Sequence, residues 1–192
     1  MSYCEEYRTQ LLNVIEGLDV SKIEQAIAWF RQARDENRQI FTCGNGGSAS
    51  TASHFVADML KGASYGRTRR FRIQALTDSL ATITAYANDV SYDCVFVEQL
   101  KNHASAGDLL VCISGSGNSP NVIEAAKFAR ELGCRVIALT GRDGGRLAPL
   151  AELNIGVSHP HMGRIEDIHL IVCHMIGYAF MDAEFGAPVA SL

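Results

Sequence analysis

No window of this chain approaches the ~18 consecutive apolar residues that a membrane-spanning helix needs, so no membrane association is expected. The first residues, MSYCEEYRTQ, lack a charged start followed by an apolar stretch, and no signal peptide is expected. Also missing is any C-x-x-C pair. The six cysteines (Cys4, Cys43, Cys94, Cys112, Cys134, Cys173) are scattered, several inside apolar runs such as LLVCIS and LGCRVIAL. There cysteine acts as a small buried hydrophobe, which suits a reducing compartment and makes the cytoplasm the expected location. Positive charge is in short supply: 17 Lys and Arg against 21 Asp and Glu leave a net charge of -4, which argues against nucleic acid as the main partner. The one basic cluster, Arg67, Arg69, Arg70 and Arg72, reads as a solvated loop and edge strand. No low-complexity segment or linker interrupts the 192 residues, and 47% hydrophobic with 20% charged residues describes one globular domain.

What is present is alternation. Tyr7, Leu11, Val14, Ile15 and Leu18, then Ile23, Ile27, Phe30 and Ala33, fall at helical spacing and predict an N-terminal helical pair. LDVSK separates the two helices, with Asp19 or Ser21 available as a cap. The pair must cover its apolar stripe somewhere, and a neighbouring subunit is one place. From residue 38 the chain alternates strand and helix: QIFTC, FRIQAL, DLLVCIS, RVIALTG and LNIGVS read as strands. The helical patterns are SASTASHFVADMLKG, ending at Gly62; SLATITAYAN; VFVEQLKNHA; SPNVIEAAKFARELG; a short one near Arg146 to Leu150; and a long one from about Arg164 to Phe185. Such alternation predicts an α/β fold, a doubly wound parallel sheet with helices on both faces.

Two loops at strand ends are bare. CGNGGSAS follows the first strand and SGSGNSPN follows DLLVCI, both made of Gly, Ser and Asn and both opening directly into helices. Ligands of open parallel sheets sit beyond the carboxyl ends of the strands. Glycine lets backbone N–H groups approach an anion, serine hydroxyls add donors, and a helix N-terminus adds unpaired N–H groups. Ser114, Ser116 and Ser119 give three hydroxyls within six residues, a cradle suited to a phosphate monoester. Neither loop continues into Gly-Lys-Ser/Thr or spells G-x-G-x-x-G, so neither a Walker loop nor a dinucleotide fingerprint is present.

His54 and Asp58, at i and i+4, share a helix face one turn beyond the first loop. On the last helix Glu166 and His174 lie about 80° apart around the axis. Convergence of the two helices would offer four N and O ligands, a set suited to zinc or a similar divalent ion. His169 is an equally placed rival to His174; His103 reads as solvated, and His159 and His161 border a proline turn.

At these residues the chain resembles the SIS (sugar isomerase) domain family, and within it the sedoheptulose 7-phosphate (phosphoheptose) isomerases. CGNGGSASTASHF, ANDVSYDCVF, ISGSGNSPNVI, ALTGRDGG and GRIEDIHLIVCHMI carry the likeness, which covers almost the whole chain. The resemblance implies a single SIS domain over 1–192. Its five-stranded sheet would follow the flavodoxin-like order, with residues 1–37 used in oligomer packing and 38–192 as the α/β core. It implies conversion of sedoheptulose 7-phosphate to D-glycero-D-manno-heptose 7-phosphate through an enediolate, without a nucleotide cofactor, by a homotetramer with inter-subunit active sites. It further implies phosphate and substrate binding by Asn45, Gly46, Gly47, Ser48, Asp89, Ser114, Gly115, Ser116, Ser119 and Glu166. Asp58 would be the base and His174 its partner, with Zn2+ held by His54, Asp58, Glu166 and His174.

The chain departs from the family pattern in places. Well-known members have glutamate at Asp58, glutamine at Glu166, arginine at Ala63 and threonine at Gly115; Arg67 or Arg69 is available to replace the missing arginine. Two other readings of the same resemblance stand beside the first. One is a non-catalytic SIS protein that binds phosphosugar and associates with a replication initiator, a relative that lacks the counterparts of Asp58 and His174. The other is an isomerase of a different sugar phosphate.

Overall fold

Every residue of LLVCIS is buried in β3 (Leu109–Ser114), as expected of a central strand covered on both faces. The computed structural model describes residues 1–182. Helices α1 (Tyr3–Glu16) and α2 (Val20–Asp35) lead into β1 (Gln39–Gly44), α3 (Gly47–Ala57), β2 (Arg72–Ala75), α4 (Leu80–Asp89) and α5 (Val97–His103). After β3 come α6 (Pro120–Leu132), β4 (Arg135–Gly141), β5 (Leu153–Val157) and α7 (Met162–Asp182). The expected short helix near Arg146 is a single 3-10 turn, Ala148–Leu150. Phe185, the expected end of α7, lies outside the described residues. All strand pairs are parallel, in the order β2-β1-β3-β4-β5, which is the flavodoxin-like order.

The period of two along each strand divides the core. Leu109, Val111 and Ile113 of β3, with Ile137 and Leu139 of β4, pack with α2, α3 and α7 on one face. Leu110, Cys112, Val136 and Ala138 pack with α5 and α6 on the other. Phe30 of α2 and Phe55 of α3 are fully buried, with ring centroids 5.4 Å apart; truncating either to alanine should cost about 3–5 kcal/mol. All six cysteines are free thiols.

The two N-terminal helices differ. α2 buries Ile23, Ala26, Ile27, Phe30 and Ala33 in the chain's own core. α1 has no fully buried residue: Leu11, Val14 and Ile15 pack half-buried against the same core, while Tyr3 and Leu12 are exposed. Its tether is the Tyr7 hydroxyl, which donates to Asp167, while the Arg164 guanidinium stacks 3.7 Å from the Tyr7 ring centroid.

The helix expected to run to Gly62 changes character at its end. α3 is α-helical to Ala57, and Asp58–Gly62 form one π-helical turn, a feature frequent at functional sites. The arginine cluster beyond it is structural. Arg67 donates to the Phe180 and Met181 carbonyls of α7 at 2.8 and 3.2 Å. Arg69 pairs with Asp35 of α2 at 2.9 Å, and Arg72 donates to the Asn37 carbonyl at 3.1 Å. The two arginines available for a substrate contact thus have partners within the fold.

Candidate active site

The sheet order reverses between β1 and β3, so the loops leaving these strands share the carboxyl edge of the sheet. α3 begins after Gly46 (φ 56°) and α6 after Ser119, neither with a hydrogen bond from the cap side chain. In α6 Pro120 brings no N–H and the Val122 N–H is already given to Asn121 Oδ1 at 3.0 Å, so an anion meets the start of α3 more freely than that of α6. Ser48 and Ser114 are buried, and the Ser114 hydroxyl lies 3.4 Å from that of Ser119. The Ser116 hydroxyl accepts from the Asn118 backbone N–H at 3.2 Å. The loop after β4 buttresses the second loop from behind. Gly117 has φ 63°, and a Cβ there would collide with the Gly144 carbonyl oxygen. The Arg146 side chain and backbone N–H donate to Asn118 at 3.2–3.4 Å. An open cleft of about 640 Å³ adjoins this loop, bordered by Ser116, Asn118, Arg142 and His159.

The first loop is held through Asn45. Its amide exchanges two 2.9 Å hydrogen bonds with Asn121, buried at the start of α6, and its carbonyl accepts from the Tyr92 hydroxyl at 2.8 Å. Neither Tyr92 nor Asn121 stood out in the sequence. Asp89, placed near the phosphate by resemblance, ends α4 exposed and accepts from its neighbour Asn88 at 2.7 Å. From this part of the chain it is Tyr92 that reaches the loop.

The acid–base set lies where α3 and α7 run side by side. Glu166 faces Gly47, His174 faces His54, and Met181 faces Gly62, so the two helices advance in the same direction. His54 Nε2 is 3.0 Å from His174 Nε2, and Asp58 Oδ2 is 3.4 Å and 3.6 Å from the two. Tyr178 packs edge-on against His174 with centroids 5.8 Å apart. Glu166 does not join this group. Eight residues along α7 advance about 12 Å, and the Glu166 carboxylate sits instead over the first turn of α3, 2.8 Å from where a Gly47 Cβ would stand. There it meets the positive end of the α3 dipole.

The rival histidine is settled by rotation. His169 is 1% exposed on the core side of α7, and burial pushes its pKa down to about 4, so it is neutral at pH 7. His159 and His161 accept backbone N–H bonds from His161 and Gly163 within their own turn at 3.1 Å.

The residues present fit a metal ion. His54, Asp58 and His174 each offer one ligand atom, all within 4.8 Å of one another, and among the described residues they are the only such group. Asp58 Oδ2 is buried without a hydrogen-bond partner, the condition of a carboxylate oxygen arranged for a cation. Two imidazoles and a carboxylate are the donor types zinc takes, with a further position left open.

Comparison with known proteins agrees with this geometry. The SIS domain family profile matches residues 2–141. A phosphoheptose isomerase from Aliarcobacter butzleri is 41% identical over 170 residues, which cover 88% of this chain and 89% of that one. The structure of a phosphoheptose isomerase from Neisseria gonorrhoeae superposes with a TM-score of 0.83 at 36% identity, covering 93% of this chain and 98% of that one. A phosphoheptose isomerase from Francisella tularensis gives 0.85 at 26% identity, covering 96% and 100%. With both phosphate-type loops, the His/Asp/His group and this likeness along nearly its full length, the chain belongs to the SIS domain family, among the phosphoheptose isomerases.

Proposed function

We propose that the protein is an aldose–ketose isomerase that converts sedoheptulose 7-phosphate to D-glycero-D-manno-heptose 7-phosphate. The observation that carries this reading is the meeting of Asp58 and His174 beside two uncapped, serine-lined helix starts on one sheet edge.

In this reading Ser48, Ser114, Ser116 and Ser119, with the backbone of Gly46, Gly47 and Gly115, bind the phosphate at the end remote from the bond changes. That binding energy fixes the sugar's carbonyl end near α3 and α7. Asp58 removes the carbon-bound proton, and His174 moves protons between the neighbouring oxygens. With Asp58 Oδ2 turned toward the histidines, its other oxygen is the one to act as base. Asp58 is a methylene shorter than glutamate, and the backbone supplies reach through the widened π turn that begins at this residue. Zinc bound by His54, Asp58 and His174 would supply Lewis acidity that stabilises the enediolate charge. Glu166, over the start of α3, would orient substrate hydroxyls.

We also propose that the enzyme works as a homotetramer in the cytoplasm. Leu60, Tyr65, Met175 and Tyr178 are exposed on the same two segments as the His/Asp/His group, and α1 leaves Tyr3 and Leu12 uncovered. A partner subunit over these faces would keep water from the enediolate. Among the described residues no helix is long and apolar enough to cross a membrane.

Purified protein with Zn2+ and sedoheptulose 7-phosphate should show an aldose anomeric signal growing in by proton NMR. Its absence, with turnover of a hexose or pentose phosphate instead, would transfer the reading to another sugar. Absence with every sugar phosphate would leave a non-catalytic binding protein.

A further inference from the structure

Asn45 reaches its place in the first loop through a chain of hydrogen bonds whose direction is fixed from the backbone. The Val122 N–H donates to Asn121 Oδ1 at 3.0 Å, which identifies that atom as the oxygen, since a backbone N–H requires an acceptor. The other end of the Asn121 amide is therefore nitrogen, and it donates to Asn45 Oδ1 at 2.9 Å. This in turn identifies the Asn45 oxygen, so Tyr92, 2.8 Å from it, must donate its O–H. Asn45 Oδ1 then has both lone pairs occupied, and one Nδ2 hydrogen goes to Asn121 Oδ1 at 2.9 Å. One N–H of Asn45 remains, and it can only donate.

The three residues come from three separate parts of the chain: the loop after β1, the 3-10 turn Tyr92–Cys94, and the first turn of α6. Asn121 is 1% exposed, a depth at which an amide flip would strand the Val122 N–H. Tyr92 is 51% exposed, so its position reflects the hydrogen bond rather than burial.

We propose that Asn121 and Tyr92 are positioning residues that lock the Asn45 side chain as a one-way hydrogen-bond donor for the phosphoryl group held between the two loops. An acceptor-only ligand group matches this lock, and a group that must donate is refused. The inference rests on the isomerase reading for its ligand.

The test is a double-mutant cycle with sedoheptulose 7-phosphate, reading KM and kcat by NMR and Kd by calorimetry. Tyr92→Phe removes a single hydroxyl from an exposed ring and should raise KM and Kd about three- to tenfold, with kcat within about twofold, as expected for loss of one oriented hydrogen bond to an anion. Asn121→Asp keeps the acceptor for Val122 and Asn45 but removes the donor and adds negative charge, and should raise KM further. In an Asn45→Ala background the Tyr92→Phe effect should vanish, which a merely structural role would not produce. Unchanged KM and Kd in Tyr92→Phe, an effect on kcat alone, or an effect that persists without Asn45 would each overturn the proposal. A wild-type protein that binds the ester without turning it over would refute the isomerase reading, while the Kd arm still decides the lock.

Discussion

The Nε2 atoms of His54 and His174 lie 3.0 Å apart, with Asp58 Oδ2 completing the triangle at 3.4 Å and 3.6 Å. Two imidazole nitrogens at this distance require either one proton shared between them or an electrophile bound by both. The buried, unpartnered Asp58 oxygen favours the electrophile.

A bound metal should therefore stabilise the fold. At a hundredfold excess over Kd, zinc should add about 2.7 kcal/mol, a rise of roughly 5–10 °C in Tm for a chain of this size. His54→Ala should abolish that shift and reduce zinc in the dialysed protein by elemental analysis. A shift that survives the substitution would place the ion elsewhere.

Asp58→Asn should lower kcat by about 10²–10⁴-fold, the range for loss of a general base, while sugar phosphate binding by calorimetry stays close to wild type. Wild-type rates would mean that another group takes the carbon-bound proton.

Ser116→Ala and Ser119→Ala should each weaken substrate binding by about tenfold or more, since a hydrogen bond to a charged acceptor contributes about 1.5–3 kcal/mol. The chemical step, made at the other end of the sugar, should change little. Equal Kd values in wild type and both variants would remove the hydroxyls from the phosphate site.

Two glycines should respond differently to alanine. Gly46→Ala meets no atom within 4 Å, so its cost is that of the backbone alone, about 1–3 kcal/mol for φ 56° with ψ -120°, outside the left-handed α region. Gly117→Ala adds a collision with the Gly144 backbone to a φ of 63° and should cost more, at least about 3 kcal/mol, or roughly 6–12 °C in Tm. Similar melting points for the two would show that the loop after β4 yields readily.

His169 gives the fold a pH dependence. Its folded pKa of about 4 lies below the ordinary histidine value of 6.5, so the unfolded chain binds the extra proton first as pH falls. The contribution is complete above about pH 6.5 and is lost progressively toward pH 4, about 3 kcal/mol in all. Urea titrations at pH 5 and pH 7.5 should show this loss in the wild type and a smaller one in His169→Leu. Equal slopes would mean other groups dominate.

The parts legible in the sequence were those encoded by spacing along one segment. The alternation of LLVCIS and RVIALTG with amphipathic helices specified the layers, because period two and period 3.6 each fix which side of an element is buried. Gly, Ser and Asn at two strand ends marked the cradle, and the i, i+4 offset put His54 and Asp58 on one face before any tertiary contact. None of this periodicity specified how far α7 slides along α3. Packing of Gly177 against Phe55 and Met59, and of Gly62 against Met181, fixes that register. It brings His174 to the pair, leaves Glu166 over Gly47, and turns His169 inward. Long-range hydrogen bonding likewise decided that Tyr92 and Asn121 hold Asn45 and that Arg67 binds carbonyls of α7. Spacing along a chain gives direction around one axis, whereas the distance between two axes is set by the side chains that meet between them.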